Sequence, residues 1–248
     1  SKWQKEHQKI HNVNIGHVKF YKSDFIEKFI EQAPGVIHLD IPGGEPFLSG
    51  VQEQKHLLNH YITTGQSKHI SLHYTTNVTL FPDQEWWDIW KHFENVDIQL
   101  SIDGIGDRYE YIRYPAKWAE VVENTKRYID KYQDNIQLSV SHTVSAYNIY
   151  YLDEFFTWCY TVGLPTPWLG RVHNPVHMRP SVWDNDARAL IIDKLKISNH
   201  PEVITWAELL KNTNDESNFN YFKQCLHAHD QYRGLNFKQD FPELAKYI

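Results

Sequence analysis

Three short stretches of the chain gather residue types suited to holding a small polar ligand. The first is Gly43-Gly44-Glu45-Pro46. Two glycines let the backbone approach a ligand closely and take positive φ, so the N–H and C=O groups there can receive an ammonium or an amide. The same four residues also suit a tight strand-to-helix turn. The second stretch carries Asn77, whose side chain offers a donor and an acceptor to a ligand or hydrogen-bonds its own turn. In the third, Ser101 and Asp103 flank Ile102, and Arg113 follows Ser101 by twelve positions. Residues two apart on a strand share a face. A guanidinium binds carboxylates as a planar fork, so Ser101 and Arg113 together can hold one. The alternative for Arg113 is a surface ion pair with Asp107 or Glu110.

These stretches need a frame, and the periodicity supplies one. Residues 22–33 place Phe25, Ile26, Phe29 and Ile30 on one helical face, and Pro34-Gly35 stops that helix. A β-rich run at 36–41 leads into the Gly-Gly-Glu-Pro stretch. A helix over 50–64 follows, with Gly65 as its stop. The pattern repeats: strand 69–74, a helix opened by Pro82-Asp83-Gln84-Glu85, strand 96–102, helix 117–132, strand 136–144, helix 150–162 and a weaker strand at 168–172. Strand and helix in alternation imply βα units around a parallel sheet. The expected fold is α/β, a partial (β/α) barrel of about five parallel strands in residues 1–180, with a mainly helical extension in 181–248. In such folds the working residues sit on loops after the strand C-termini, where all three stretches fall.

Composition narrows the function classes. Aromatic residues make up 15% of the chain, nine of them Trp, which excludes global disorder. The net charge of −6 leaves no basic excess for nucleic acid or anionic lipid. No apolar run reaches the roughly 18–20 residues needed to span a bilayer, and no signal peptide is visible. Only two cysteines occur, Cys159 and Cys225, so a disulfide framework is excluded and a cytoplasmic setting is expected. His56 and His60 lie four apart on a helix, and His227 and His229 flank Ala228. Either pair can ligate a metal, but scattered surface histidine is the commoner use. His38 and Asp40 alternate on the first strand with Glu45 nearby, a possible acid/base or metal set. Trp86, Trp87, Trp90 and Phe93 have helical spacing and read as packing residues.

Taken together, Gly43-Gly44-Glu45-Pro46, the Asn77 turn and Ser101-Ile102-Asp103-Gly104 with Arg113 resemble the radical S-adenosylmethionine superfamily over residues 35–175. The resemblance implies that Gly43, Gly44, Glu45 and Pro46 contact the amino group of the methionyl moiety. It implies that Ser101 and Arg113 bind its carboxylate or the ribose, with Asn77, Asp103 and Val144 in the same cofactor-facing set. Asp230 to Gly234 with Pro242-Glu243-Leu244 resembles the tail of members with a short twitch extension. The implied reaction is reductive cleavage of S-adenosylmethionine and hydrogen abstraction from a peptide or small-molecule substrate. A flavodoxin or ferredoxin would be the electron donor, with no nucleic acid or membrane partner.

One departure stands out. The family holds a [4Fe–4S] cluster on a Cys-x3-Cys-x2-Cys triad, because thiolates suit iron. This sequence has no such triad. It opens at Ser1, and its single methionine is Met178. The expectation is therefore a truncation, with the triad immediately upstream of Ser1 and these residues inactive by themselves. The rival readings are a degenerate, cluster-free binding module and a metal-dependent barrel enzyme working through His38, Asp40 and Glu45.

Overall fold

A computed structural model describes residues 2–12, 24–41, 44–131 and 134–248. Five strands form a single sheet: β1 (His38–Ile41), β2 (Ser71–Thr76), β3 (Asn95–Ser101), β4 (Ile136–Val144) and β5 (Trp168–Arg171). They pair in chain order, and every pairing is parallel. When each right-handed crossover advances the sheet in the same direction, all crossover helices fall on one face. The result is a partial barrel, not a doubly wound sheet. The crossovers hold α3 (Val51–Thr63), α4 (Gln84–Trp90), α5 (Gly106–Ile112) with α6 (Trp118–Asp130), and α7 (Leu152–Val162). Two further helices, α1 (Lys2–His11) and α2 (Phe25–Gln32), precede β1.

The two faces of the sheet differ in chemistry. On one, Leu72, Tyr74, Val96, Ile98, Leu100, Ile136 and Val140 are at most 1% exposed. They join one core with Leu58 and Tyr61 of α3, Trp86 and Trp90 of α4, Val121 and Tyr128 of α6, and Leu152 and Phe155 of α7. Each such side chain contributes about 1.5–3 kcal/mol by leaving water. The four aromatics of the expected packing set, Trp86, Trp87, Trp90 and Phe93, are all buried here. Asp83 caps α4, its carboxylate accepting from the Trp86 N–H. On the other face the register aligns Asp40, His73 and Asp97 in one row and Thr75, Gln99 and Ser139 in the next.

After β5 come α8 (Asn185–Lys196), α9 (Pro201–Lys211), α10 (Phe219–Arg233) and α11 (Phe237–Asp240). They are fastened to the connections after β3 and β4. The Trp183 indole donates to the Ala146 carbonyl at 3.0 Å, Tyr111 to Asp230 at 2.8 Å and Tyr151 to Glu243 at 2.7 Å. Arg233 donates to the buried Glu6 carboxylate of α1 and to the Tyr111 carbonyl, each at 2.6 Å. Among the described residues no helix is long and apolar enough to cross a membrane.

The expected elements are present with shifted ends. The second strand runs Ser71–Thr76, because Gln66–His69 forms a 3₁₀ turn before it. Residues 22 and 23 of the first expected helix lie outside the described residues, and its regular part is Phe25–Gln32. The short helix α5 has no counterpart among the expected elements. It is seven residues long and begins at Gly106, so local preference does not announce it; buried Tyr109 and Tyr111 hold it in place.

Candidate functional site

Glu45, Asn77, Ser101, Asp103 and Val144 converge on the C-terminal end of the sheet, and Arg113 at the end of α5 reaches back to join them. Gly43 lies outside the described residues. Glu45 is buried, and its carboxylate accepts from the Thr76 hydroxyl at 2.9 and 3.1 Å and from the Asn77 N–H at 3.0 Å. The loop after β1 is thereby locked to the end of β2. Burial raises the Glu45 carboxyl above the usual carboxylate range, against the lowering effect of these donors. Gly44 stands exposed beside it. The buried Pro46 offers its carbonyl to the Gln54 amide at 2.9 Å, tying the loop to α3.

The loop after β2 holds a strained residue. Val78 has φ of +64° with its side chain fully buried. A β-branched residue there costs on the order of 1–3 kcal/mol. The Val78 N–H donates to Thr76 Oγ1 at 3.1 Å, and its carbonyl accepts from Asn124 at 2.9 Å, so both backbone groups are fixed. The Asn77 side-chain oxygen accepts from the Thr79 N–H at 2.9 Å and from the Thr79 hydroxyl at 2.5 Å. This is the local-turn use of Asn77. Its backbone carbonyl accepts from the Tyr109 hydroxyl at 3.3 Å, and burial pushes that phenol up to about 12.

At β3, Arg113 Nη2 donates to Ser101 Oγ at 2.9 Å and pairs with Asp103 Oδ2 at 2.5 Å. The partner is Asp103, not Asp107 or Glu110. The other Asp103 oxygen accepts from the Thr143 N–H at 2.7 Å, which links β3 to β4. Asn148 donates to the carbonyls of Asp103 and Thr143 at 3.0 and 2.9 Å and accepts from the Ser145 N–H at 2.7 Å. Arg113 Nε is buried and lacks a hydrogen-bond partner. An unmatched guanidinium N–H at the mouth of a sheet is what an anionic ligand group would satisfy. Val144 is fully buried, with its carbonyl accepting from the Val172 N–H at 3.0 Å. Beneath them His142 is buried against Phe155, ring centroids 4.3 Å apart, and shares a hydrogen bond with the Ile102 carbonyl at 2.9 Å. Burial lowers its affinity for a proton, so it is the neutral ring that donates from Nδ1 to this carbonyl.

Thr76, Thr143 and Asn148 join Glu45, Asp103 and Arg113 in these networks, and sequence reasoning did not single them out. Those three matter only through strand register, which no local pattern reveals. Among the described residues no group of three His, Cys, Asp or Glu side chains is gathered to hold a metal. The trio His38, Asp40 and Glu45 is not assembled, since Glu45 turns to Thr76 and Asn77. The cysteines do not fit an iron–sulfur cluster. Cys159 and Cys225 are buried on α7 and α10, and burial pushes the Cys159 thiol up to about 12 and raises Cys225 as well. A cluster needs thiolates.

No family model matches the sequence, and no curated protein matches it either. Solved structures do share the fold. Native anSMEcpe with bound AdoMet superposes with a TM-score of 0.54 at 16% identity, over 79% of this chain and 55% of that one. The same protein with bound AdoMet and Kp18Cys peptide gives 0.53 at 14% identity, over 74% and 53%. With AdoMet and Cp18Cys peptide the values are 0.51 and 14%, over 70% and 49%. The chain therefore spans about half the length of the solved chains it matches. At this identity the likeness establishes a shared α/β architecture, a partial barrel of five parallel strands with a helical remainder.

Proposed function

We propose that this chain is the S-adenosylmethionine-binding core of a radical S-adenosylmethionine enzyme, with residues 181–248 as its helical extension. The observation that carries this reading is the buried, unpartnered Arg113 Nε beside Ser101 and Asp103. Two things support it: the resemblance of the Gly-Gly-Glu-Pro and Ser-Ile-Asp-Gly stretches, and the bound AdoMet named in the fold neighbours. Asp103 fixes the guanidinium plane, and Ser101 takes one of its N–H groups. Nε is left for the methionyl carboxylate. Glu45 does not touch the ligand in this reading; it holds the loop whose backbone receives the amino group. Bound S-adenosylmethionine supplies an adenosyl carbon able to abstract hydrogen once an electron has cleaved its C–S bond. These residues bind and orient it; with no fitting thiolates of their own, they do not cleave it. A peptide is the favoured substrate class, by analogy with the peptide-bound neighbours.

Titration calorimetry with S-adenosylmethionine tests the assignment. Measurable binding is expected, weakened about tenfold or more by Arg113→Ala, the range for losing a charged hydrogen bond. An isotherm unchanged in that variant overturns the carboxylate role.

A further inference from the structure

A cleft of about 400 Å³ opens among the crossover helices, where the first turns of α5 and α6 meet α7 and α11. Trp118 and Trp158 form two of its walls, their ring centroids 4.9 Å apart and their planes inclined at 58°. Both indoles are half-buried and keep part of their surface in water. Each is held from behind. Tyr109 packs on the Trp118 ring at 5.3 Å, and the Trp118 backbone N–H donates to the Glu110 carboxylate at 2.9 Å. Trp158 rests on Phe155, ring centroids 6.0 Å apart. Two carboxylates complete the lining, Asp107 on α5 and Asp240 on α11. Neither has an ion-pair or hydrogen-bond partner among the described residues. Asp240 is seated by its neighbour Phe241, which is fully buried and stacked on Phe237 at 4.5 Å. Burial, then the negative charges of Asp107 and Asp230, raise the Asp240 carboxyl above its ordinary range. Arg108, also in the lining, does not relieve this: it pairs with Glu154 and lies 4.1 Å above the Tyr151 ring.

Indole faces attract cations through the ring quadrupole, most strongly when water is shed. A methylated ammonium asks for apolar contact and opposite charge, not directed hydrogen bonds, and this cleft offers those two. We propose that it binds a quaternary ammonium group, with the methyls against Trp118 and Trp158 and the charge met by Asp107 and Asp240. The proposal stands on the cleft and its lining and is independent of the cofactor reading. Titration calorimetry on the full chain tests it, with three probes: choline, its uncharged tert-butyl analogue neohexyl alcohol, and butylamine. We expect choline to bind, the uncharged analogue to bind about tenfold more weakly or worse, and butylamine to bind more weakly than choline. Trp158→Leu and Asp240→Asn should each weaken choline about fivefold to tenfold. Asp107→Asn, at an exposed position in the first turn of α5, should weaken it about threefold and decides the matter if either of the others fails to fold. Absence of choline binding, equal binding of choline and its uncharged analogue, butylamine binding as tightly as choline, or an isotherm unchanged in Asp107→Asn overturns the proposal. The titration uses no S-adenosylmethionine, so either idea can fail without the other.

Discussion

Glu45 and Asp103 are both buried carboxylates placed just past the end of a parallel strand, yet they do different work. Glu45 is fed by neutral donors alone, the Thr76 hydroxyl and the Asn77 amide, and burial dominates its ionisation. Asp103 is fed by a guanidinium and an amide. The first arrangement joins two loops. The second holds a cation in place while leaving one of that cation's own donors unused. What surrounds a carboxylate, more than where it stands, decides what it can hold.

The contrast can be broken experimentally. The largest effect should come from Asp103→Ala, which leaves Arg113 without its counter-charge and the Thr143 N–H unpaired. With Arg113 32% exposed, a loss of about 2–3 kcal/mol is expected in urea denaturation, below the range for a fully buried pair. Glu45→Ala should cost about 2 kcal/mol by orphaning the Asn77 N–H and the Thr76 hydroxyl. Glu45→Gln sharpens the comparison through pH. A carboxyl raised in the native state binds its proton more tightly there than when unfolded. Its destabilising contribution is absent below the ordinary glutamate range and grows as pH rises through it. Melting curves across acidic pH should therefore show wild type losing ground to Glu45→Gln as pH rises. His142 acts in the opposite sense. Its native affinity for a proton is depressed, so stability is full above the ordinary histidine pKa and falls as pH drops below it. In His142→Gln that slope between about pH 6.5 and 5 should flatten. The smallest effect is expected from Asn77→Ala, about 1 kcal/mol for a lost turn, with S-adenosylmethionine binding unchanged. Binding lost with stability kept would move Asn77 into the ligand shell.

Much of the architecture is legible from the residues because strand-like and helix-like stretches alternate with clear stops such as Pro34-Gly35. The order of the strands is not in that pattern, since right-handed crossovers serve a doubly wound sheet as well as this one. Of the site, the glycine-rich stretch and the Ser101–Arg113 spacing are visible, since each is local. The lock of Glu45 on Thr76 spans 31 positions and the link from Asp103 to Thr143 spans 40, so each exists only once the strands are in register. The His73–Asp97 pair is hidden for the same reason, 24 positions apart in the chain and side by side in the sheet.

The β5 edge of the sheet carries its own optical reporter. Trp168 begins β5, lies against Gly170 with its ring where a Cβ would intrude at 3.0 Å, and remains 67% exposed. By contrast Trp86, Trp87, Trp90 and Trp183 are at most 2% exposed. An aqueous quencher such as iodide should therefore reach the Trp168 indole while leaving those four dark to it. Iodide quenching would therefore report on Trp168 above a background from the half-buried Trp118 and Trp158.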